Sequence, residues 1–348
     1  MTDMPRILHL VDDATPGGIT RVLDHIRSCP LMAQTARHEL WTVARNAALP
    51  RCDADMIVSH LSLSWRGLPA LISLRARHPG TPLVHVEHSY TEAFTALNVR
   101  AKLRFFTMLR TAYALFDRVV AVSEAQGAWL TRRRLVPAGA LRVIPPVVDL
   151  AGFRALPAPQ GAPRVIGAIG RLHRQKGFDI LIQAFRQLPD AGLALHIHGS
   201  GPEEAALRAL AEGDPRIRFF GHSGQPEKVM ASVDLVAMPS RWEAFGLVAL
   251  EARSAGRPVL CPRLDGLATS AGADGLFVTG HGIDAWARAL QRALAATDST
   301  PDRAAGCEAV FAEGWAELIA SCCGHAKRAP QSAGAGAAPG TLIAAGLS

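Results

Sequence analysis

The feature that most constrains the fold of this chain is an order of strand, glycine loop and helix that occurs twice. The apolar run Ile7–Val11 precedes Gly17-Gly18, after which apolar residues recur at helical spacing. The same order returns where Val165–Gly170 precedes a loop and a second amphipathic pattern that starts at Phe178. Each occurrence is typical of the first unit of a doubly wound α/β domain. The chain is therefore predicted to form two such domains, with a ligand cleft where the carboxyl ends of their strands face each other.

Short apolar runs alternate with helical patterns along both halves, which favours parallel sheets. The predicted strands are Ile7–Val11, His38–Val43, Met56–Ser59, Leu83–Glu87, Val119–Val122 and Arg142–Ile144 in the first half, and Val165–Gly170, Ala194–His198, Ile217–Phe220, Leu235–Met238, Pro258–Leu260 and Gly275–Val278 in the second. Residues 149–163, rich in Ala, Pro and Gly, are predicted to link a domain of residues 1–150 to one of residues 151–306. A last helix is predicted over residues 307–323 and a disordered Ala/Gly-rich tail over residues 324–348.

Composition limits the class of protein. Hydrophobic residues make up 49% of the 348 residues and charged residues 19%, which indicates an ordered globular protein. No apolar run approaches the ~18 residues of a transmembrane helix, and the first run is too short for the core of a signal peptide. The six cysteines show no metal-ligand spacing, in keeping with a reducing compartment. We therefore expect a cytoplasmic protein.

Positive charge is concentrated in the N-terminal half. Residues 1–150 hold 18 Lys and Arg against 12 Asp and Glu, a net charge of +6, whereas residues 151–348 have a net charge of +1. No nucleic-acid-binding motif accompanies this charge, so an anionic membrane surface or a phosphate-bearing acceptor is the expected partner and nucleic acid is not. Residues 99–113 hold four basic residues and no acid, and helical spacing predicts one apolar face made of Val99, Leu103, Phe106, Leu109 and Tyr113. This pattern predicts either a helix on the cytoplasmic membrane face or a core-packed helix with a solvated basic face.

Two carboxylates lie in the segment Pro239–Glu251, which follows a short apolar run and is expected to pass from a loop into a helix. Glu243 is predicted in the loop and Glu251 on the helix. On a single helix they would lie roughly 12 Å apart, whereas paired glycosidase carboxylates lie about 5 to 9.5 Å apart. The two groups therefore suit two points on one extended ligand better than one scissile bond, although cap-region or surface charges have the same pattern.

Groups that bind anions surround these carboxylates in the sequence. The amides of Phe245, Gly246 and Leu247 are expected near a helix N-terminus, where free N–H groups favour an anion. Arg171 and Lys176 follow a strand, with Gly170 and Gly177 at their flanks, and two such cations can bind a diphosphate and stabilise a leaving group. Taken alone, two such cations are more often solvated surface charges, but their position in the predicted cleft favours a role in ligand binding.

Histidines and other glycines give weaker signals. His88 follows a strand and is expected to line the cleft, with a structural histidine as the alternative, while His85 three residues earlier points to the other face and is a poor zinc partner. Gly199 opens a Gly-Ser-Gly-Pro loop that lacks the third glycine of a dinucleotide fingerprint. Neither a P-loop nor a His-Glu-x-x-His motif occurs, so no metal site is predicted.

Together these residues resemble the group 1 glycosyltransferases (family 4), which are retaining enzymes of the GT-B fold with two facing Rossmann-like domains. The resemblance covers the chain to about residue 320. Its matching residues are Gly17-Gly18, His88, Val120–Ser123, Gly170-Arg171, Lys176–Phe178, Gly199–Pro202, Pro239-Ser240, Glu243–Gly246, Glu251-Ala252 and Gly256–Val259.

The resemblance implies transfer of a sugar from a nucleoside-diphosphate sugar to a hydroxyl of a sugar or lipid-linked acceptor, without a metal or other cofactor. It assigns acceptor binding to the N-terminal domain and donor binding to the C-terminal one, with the last helix crossing back to the former. Arg171 and Lys176 would hold the diphosphate, Glu251 the ribose, and Glu243 and His88 the donor sugar. The remaining donor-binding residues would be Gly17, Gly18, Gly170, Gly199, Phe245, Gly246 and Leu247.

The chain departs from the family pattern at Pro145-Pro146, where Asn-Gly is frequent, and after Asp265-Gly266, where Leu267 replaces a frequent Glu. The expected role is polysaccharide or glycolipid assembly. Two alternatives stay open, namely a nucleotide-sugar epimerase or isomerase of the same fold and a nucleotide-sugar-binding protein without catalytic activity.

Overall fold

The computed structural model describes residues 4–13, 15, 17–47, 49, 51–295 and 303–326. Most of the predicted disordered tail, from residue 327 onward, lies outside the described residues. None of the described helices is both long and apolar enough to cross a membrane.

The N-terminal domain is built on a six-stranded parallel sheet. Its strands are β1 (Arg6–Val11), β2 (Arg37–Thr42), β3 (Met56–Ser59), β4 (Leu83–Glu87), β5 (Arg118–Ala121) and β6 (Leu141–Val143), in the order β2-β1-β3-β4-β5-β6. Its helices are α1 (Gly18–Ser28), α2 (Pro30–Ala33), α3 (Leu68–Arg77), α4 (Glu92–Asn98), α5 (Lys102–Tyr113) and α6 (Glu124–Arg132), with a 3₁₀ turn at Ala138–Ala140.

The C-terminal domain repeats this plan with a second parallel sheet of six strands. The strands are β7 (Val165–Ile169), β8 (Ala194–His198), β9 (Ile217–Gly221), β10 (Leu235–Ala237), β11 (Val259–Pro262) and β12 (Leu276–Val278), in the order β12-β11-β10-β7-β8-β9. The helices are α7 (Ala151–Arg154), α8 (Phe178–Arg186), α9 (Glu204–Ala211), α10 (Pro226–Ala231), α11 (Leu247–Ser254), α12 (Leu267–Ala271), α13 (Gly282–Ala295) and α14 (Cys307–Ala326), with a 3₁₀ turn at Arg174–Lys176.

The predicted α/β architecture of two doubly wound domains is confirmed, and every predicted strand corresponds to an observed one within two residues at either end. Apolar periodicity also correctly placed α1 and α8, the helices that follow the first strand of each domain. Val22, Leu23 and Ile26 of α1 are buried, as are Leu181 and Phe185 of α8. Burial of these apolar faces against the sheets is the main stabilising contribution of both helices.

Two segments differ from their predicted structure. The helix expected from residue 99 begins only at Lys102, because α4 ends at Asn98 and a short irregular segment separates the two helices. The predicted single apolar face is also wrong, since Leu109 and Tyr113 are buried in the core whereas Leu103 is 79% exposed. Residues 149–163 are more than a linker, because they form α7 and bury Phe153 completely.

The last helix, α14, packs against α2 and β3 of the N-terminal domain. Its Trp315 lies edge-on to His9 of β1, with ring centroids 5.7 Å apart. Its Glu308 forms a bidentate ion pair with Arg154 of α7, at 2.7 and 2.6 Å. A single buried apolar cluster contains residues of both domains and of α14, so the two domains share part of their core.

Candidate active site

Lys176 and Glu243, from two loops at the carboxyl edge of the second sheet, form an ion pair. Lys176 ends the 3₁₀ turn after β7, and Glu243 lies between β10 and α11. The two loops are joined beside this pair, because the Arg241 amide donates to the Gln175 carbonyl at 2.7 Å and the Arg241 guanidinium pairs with Asp179 at 2.9 and 2.7 Å. These contacts between the two loops hold the Lys176 ammonium group and the Glu243 carboxylate together in the cleft.

Glu251 lies on α11, as predicted, and is 2% exposed. Burial raises the pKa of its carboxyl group, while the nearby Arg21 guanidinium acts in the opposite direction. Arg21 Nη1 donates to Glu251 Oε1 at 2.5 Å from α1 of the other domain. This ion pair joins the two domains across the cleft.

The start of α11 offers free backbone donors. Gly246 caps the helix with a φ of 96°, a conformation that favours glycine, and a Cβ at this position would lie 2.8 Å from Leu267. The amides of Leu247 and Val248 donate to no acceptor among the residues that the structure describes. Phe245 is 7% exposed, and its carbonyl accepts a hydrogen bond from Ser270 at 2.7 Å. Free amides at this end of a helix favour an anion.

The glycine loops of the two domains meet near this helix. Gly17 caps α1, and a Cβ on Gly18 would lie 3.2 Å from the Leu247 side chain, so the N-termini of α1 and α11 face each other. Gly170 and Gly199 lie against each other at the ends of β7 and β8, where a Cβ on Gly199 would lie 1.9 Å from the Gly170 carbonyl oxygen. Close packing of the two backbones is thus a sufficient reason for glycine at position 199.

Arg171 is exposed and forms no ion pair within the described part of the chain. It lies near the N-terminal domain, because its charge is among the influences that lower the pKa of Asp13, behind the hydrogen bonds from Thr15. Arg171 is therefore placed at the cleft with its guanidinium available to a ligand.

His88 follows β4 and is half-buried, with Nε2 2.8 Å from Nδ1 of His60. The preceding residue, Glu87, shapes the loop that carries it, since its Oε1 accepts the amides of Ser89 and Tyr90 at 2.8 and 2.9 Å. Its Oε2 accepts the Tyr113 hydroxyl at 2.7 Å. Burial acts to raise the pKa of Glu87, but the His85 imidazole, with Nε2 3.6 Å from Oε2, and the hydrogen bond from Tyr113 lower it overall.

Asp265, after β11, is a second point of contact between the domains. Its carboxylate accepts the Thr91 hydroxyl at 2.7 Å and the Ala93 amide at 3.3 Å, both at the start of α4, and also the Glu243 amide at 3.3 Å. Its φ of 45° lies in the left-handed region. Burial raises the pKa of this carboxyl group. Asp265 therefore fastens the Glu243 loop to the N-terminal domain.

Comparison with known proteins places these residues in a family. The family model for glycosyl transferases group 1 matches residues 163–296, and the model for glycosyltransferase family 4 matches residues 9–151. The chain belongs to the group 1/family 4 glycosyltransferases. The residues predicted for the donor lie in the segment that the first model matches, apart from Gly17, Gly18 and His88, which lie in the second.

Curated relatives of this chain include D-inositol 3-phosphate glycosyltransferases. The one from Mycolicibacterium gilvum is 32% identical over 213 residues, or 54% of this chain and 47% of the relative. The one from Corynebacterium urealyticum is 42% identical over 161 residues, or 42% and 38%. The one from Actinosynnema mirum is 31% identical over 272 residues, or 68% and 63%. The first two matches span about half the length of the relatives or less.

Solved structures share the fold of this chain. Sucrose-phosphate synthase from Thermosynechococcus elongatus superposes with a TM-score of 0.67 at 23% identity, covering 93% of this chain and 98% of the other. HepE from Anabaena, in complex with UDP-glucose, superposes with a TM-score of 0.64 at 20% identity, covering 92% and 98%. At these identities the likeness establishes the fold.

Arg21, Asp265 and His60 lie in the site but were not predicted from the sequence. Arg21 lies one turn into the helix that Gly18 opens, so a search of that turn for cations would have found it. The contacts of Asp265 and His60 depend on how distant segments meet in space. No local sequence pattern predicts these contacts.

Proposed function

We propose that this protein is a retaining glycosyltransferase that moves a sugar from a nucleoside-diphosphate sugar to an acceptor hydroxyl. The observation that carries this proposal is the Lys176–Glu243 ion pair beside the free amides of α11. A cation and helix amides can hold a diphosphate, while a carboxylate beside them can accept sugar hydroxyls. An extended donor would thus span the cleft from Glu251 to Glu243.

The chemistry follows from where charge develops. As the bond between the sugar and the diphosphate breaks, negative charge grows on the departing phosphate, and Lys176 and Arg171 would stabilise it. Glu243 would orient the sugar, and His88 would contact it from the N-terminal domain. A phosphate oxygen of the donor can accept the proton of the acceptor hydroxyl on the face that the leaving group vacates, which keeps the anomeric configuration. None of these steps calls on a metal ion, and metal independence is part of the proposal.

The acceptor is proposed to be a phosphate-bearing hydroxyl compound or a lipid-linked sugar. The basic N-terminal half, with its net charge of +6, supports an anionic acceptor. The names of the curated relatives, D-inositol 3-phosphate glycosyltransferases, point to the same class. Inositol phosphate is therefore the first acceptor to test, ahead of the polysaccharide and glycolipid precursors predicted from the sequence.

Contact with an anionic membrane is proposed at the start of α5. Leu103 is 79% exposed and Leu97 is 49% exposed, and the exposed Arg100, Lys102 and Arg104 flank them. Apolar side chains within a basic surface suit the interface of an anionic bilayer. Leu103→Ser should abolish sedimentation with anionic vesicles, while Ile72→Ser, at a similarly exposed apolar residue outside this surface, should leave it unchanged. Equal binding to neutral and anionic vesicles would contradict the proposal.

The test of the reaction is product formation. The protein is incubated with UDP-, GDP- or ADP-sugars and an acceptor in the presence of a chelator, and nucleoside diphosphate release is measured together with the anomeric configuration of the product by proton NMR. UDP-glucose is the first donor to try, because the Anabaena HepE structure contains it. One nucleotide should support turnover with retention. An inverted product would contradict the retaining mechanism, and rearranged donor released without an acceptor would favour the epimerase alternative.

A further inference from the structure

The main chain of Glu243 is held by two consecutive residues, Asp265 and Gly266. The Glu243 amide donates to Asp265 Oδ2 at 3.3 Å, and the Glu243 carbonyl accepts the Gly266 amide at 3.1 Å. The two segments are in close contact, because a Cβ on Gly266 would lie 1.9 Å from the Ala244 carbonyl oxygen. Asp265 and Gly266 therefore determine where the Glu243 side chain begins.

Asp265 is in turn held by the start of helix α4 in the N-terminal domain. Its Oδ2 accepts the Thr91 hydroxyl at 2.7 Å, and its Oδ1 accepts the Ala93 amide at 3.3 Å. Thr91 is fully buried and is the N-cap residue of α4. The φ of 45° at Asp265 is unfavourable for most residues other than glycine, so the surrounding contacts must offset its cost.

Two further residues of α4 contact the same edge of the C-terminal domain. The Phe94 ring lies edge-on to the ring of Trp242, the residue before the active-site carboxylate, with centroids 5.9 Å apart. Asn98 Oδ1 accepts a hydrogen bond from Arg174 Nη1 at 3.1 Å, and Arg174 opens the 3₁₀ turn that ends at Lys176. The helix therefore contacts both loops that carry the active-site ion pair.

These contacts come from one side of α4. Thr91, Phe94 and Asn98 are separated by three and four residues, a spacing that places them on the same side of a helix. We call these three residues the α4 face. Their partners lie in the loops that follow β7, β10 and β11, which are neighbouring strands of the second sheet. One side of a single helix thus spans the three loops around the active-site ion pair.

We infer that the α4 face positions the Lys176–Glu243 pair for the bound donor, and that Asp265 is the link from this face to Glu243. The α4 face and Asp265 are positioning residues in this account, because they act through the loops. A carboxylate that orients a sugar must be held precisely, since a displacement of about 1 Å can cost about 10²-fold in rate. The effect on the donor rests on the proposed function, whereas the holding of the loops does not.

Hydrogen exchange of the full-length protein without ligand, followed by mass spectrometry, tests whether α4 holds the loops. Asn98→Ala should speed exchange over residues 170–178, and Asp265→Gly should speed it over residues 239–246. Glycine suits the left-handed backbone at position 265, so Asp265→Gly removes the carboxylate without adding strain. Wild-type exchange in both segments of these folded variants would overturn the inference whether or not the protein is a glycosyltransferase.

Phe94→Ala and Leu97→Ala form a matched pair on the same helix. Phe94 contacts Trp242 of the other domain, whereas Leu97 is 49% exposed and lies outside the α4 face. Phe94→Ala should speed exchange over residues 239–246, and Leu97→Ala should leave it as in the wild type. An equal increase in both variants would show that general loosening of α4 causes the effect, which would contradict a specific role of the α4 face.

Kinetics connect the α4 face to the sugar. Asp265→Gly should lower kcat/KM for the nucleotide-sugar by about ten- to a hundredfold, with the affinity for free nucleoside diphosphate unchanged. Asp265→Asn keeps an acceptor oxygen for the Thr91 hydroxyl and should recover part of this loss. An equal loss of affinity for sugar-free nucleotide in Asp265→Gly would contradict the link through Glu243. Lack of turnover by the wild type with any donor would instead count against the proposed function, and the exchange result would still decide whether α4 holds the loops.

Discussion

Arg21 Nη1 on the first helix of the N-terminal domain lies 2.5 Å from Glu251 Oε1 on helix α11 of the C-terminal domain. Side-chain exposure is 36% for Arg21 and 2% for Glu251, so the cation reaches from the edge of the cleft to a buried carboxylate. The guanidinium opposes the effect of burial, which raises the pKa of Glu251, at the position that we assign to the ribose of the donor.

Arg21→Ala should weaken nucleotide binding. Without the guanidinium, burial would raise the pKa of Glu251 further, and the protonated carboxyl group would accept fewer hydrogen bonds from ribose hydroxyls. A charge-assisted hydrogen bond is worth about 1.5 to 3 kcal/mol, so Kd should rise by at least about tenfold, and more at pH 6 than at pH 8. Calorimetric titration of each variant with the nucleotide at pH 6 and pH 8 measures Kd. The control variant is Arg27→Ala, which changes an exposed arginine of the same helix and should bind the nucleotide as the wild type does. Tighter nucleotide binding by Arg21→Ala would contradict the prediction and show that Arg21 competes with the ligand.

Glu251→Gln should change how stability depends on pH. The folded-state pKa of Glu251 is raised, so the folded protein binds this proton more tightly than the unfolded chain does. The resulting stability is present below the unfolded pKa, about 4.5, and is lost as pH rises through the folded value. Glu251→Gln lacks this loss, so its Tm relative to the wild type should increase as pH rises from 4 to 8. A constant difference in Tm across that range would contradict the raised pKa.

Glu87→Gln should have the opposite pH signature. The folded-state pKa of Glu87 is lowered, so its contribution to stability is present above the unfolded pKa and is lost as pH falls through the folded value. Urea unfolding at pH 7 should show a loss of about 1 to 3 kcal/mol in the free energy of unfolding, with a smaller loss at pH 4. Glu124→Gln, on an exposed glutamate of α6, is the control and should change stability little at either pH.

The sequence predicted the fold through local patterns and the site through short segments. Apolar runs marked the central strands, such as β3 and β10, because buried parallel strands are apolar on both faces. The apolar pattern gave a wrong prediction at residues 99–113, where no helix forms before Lys102. There Leu103 is exposed to solvent, whereas Leu109 is buried in the core. Sequence spacing alone does not show which side of a half-buried helix faces the domain.

What the sequence could not provide is contact between distant segments. Glu251 was predicted as a ligand-binding carboxylate, but its partner Arg21 is 230 residues away, and only the docking of the two domains brings them together. The contacts of the His9 ring with those of His38 and His60 likewise require the strand order β2-β1-β3, which places β1 between two strands that follow it in the chain. His88 was recognised from its position after a strand, whereas His9, His38 and His60 had no local signal.

The proposed function requires a nucleoside diphosphate to bind between Lys176, Arg171 and helix α11. Calorimetric titration of the wild type, Lys176→Ala and Lys228→Ala with UDP, GDP and ADP measures this binding. Lys228 is an exposed lysine of the same domain and serves as the matched control. We predict that one nucleotide binds the wild type and Lys228→Ala with 1:1 stoichiometry, and that Lys176→Ala binds it at least about tenfold more weakly. Equal affinity in Lys176→Ala, or no binding of any of the three nucleotides to the wild type, would contradict the account.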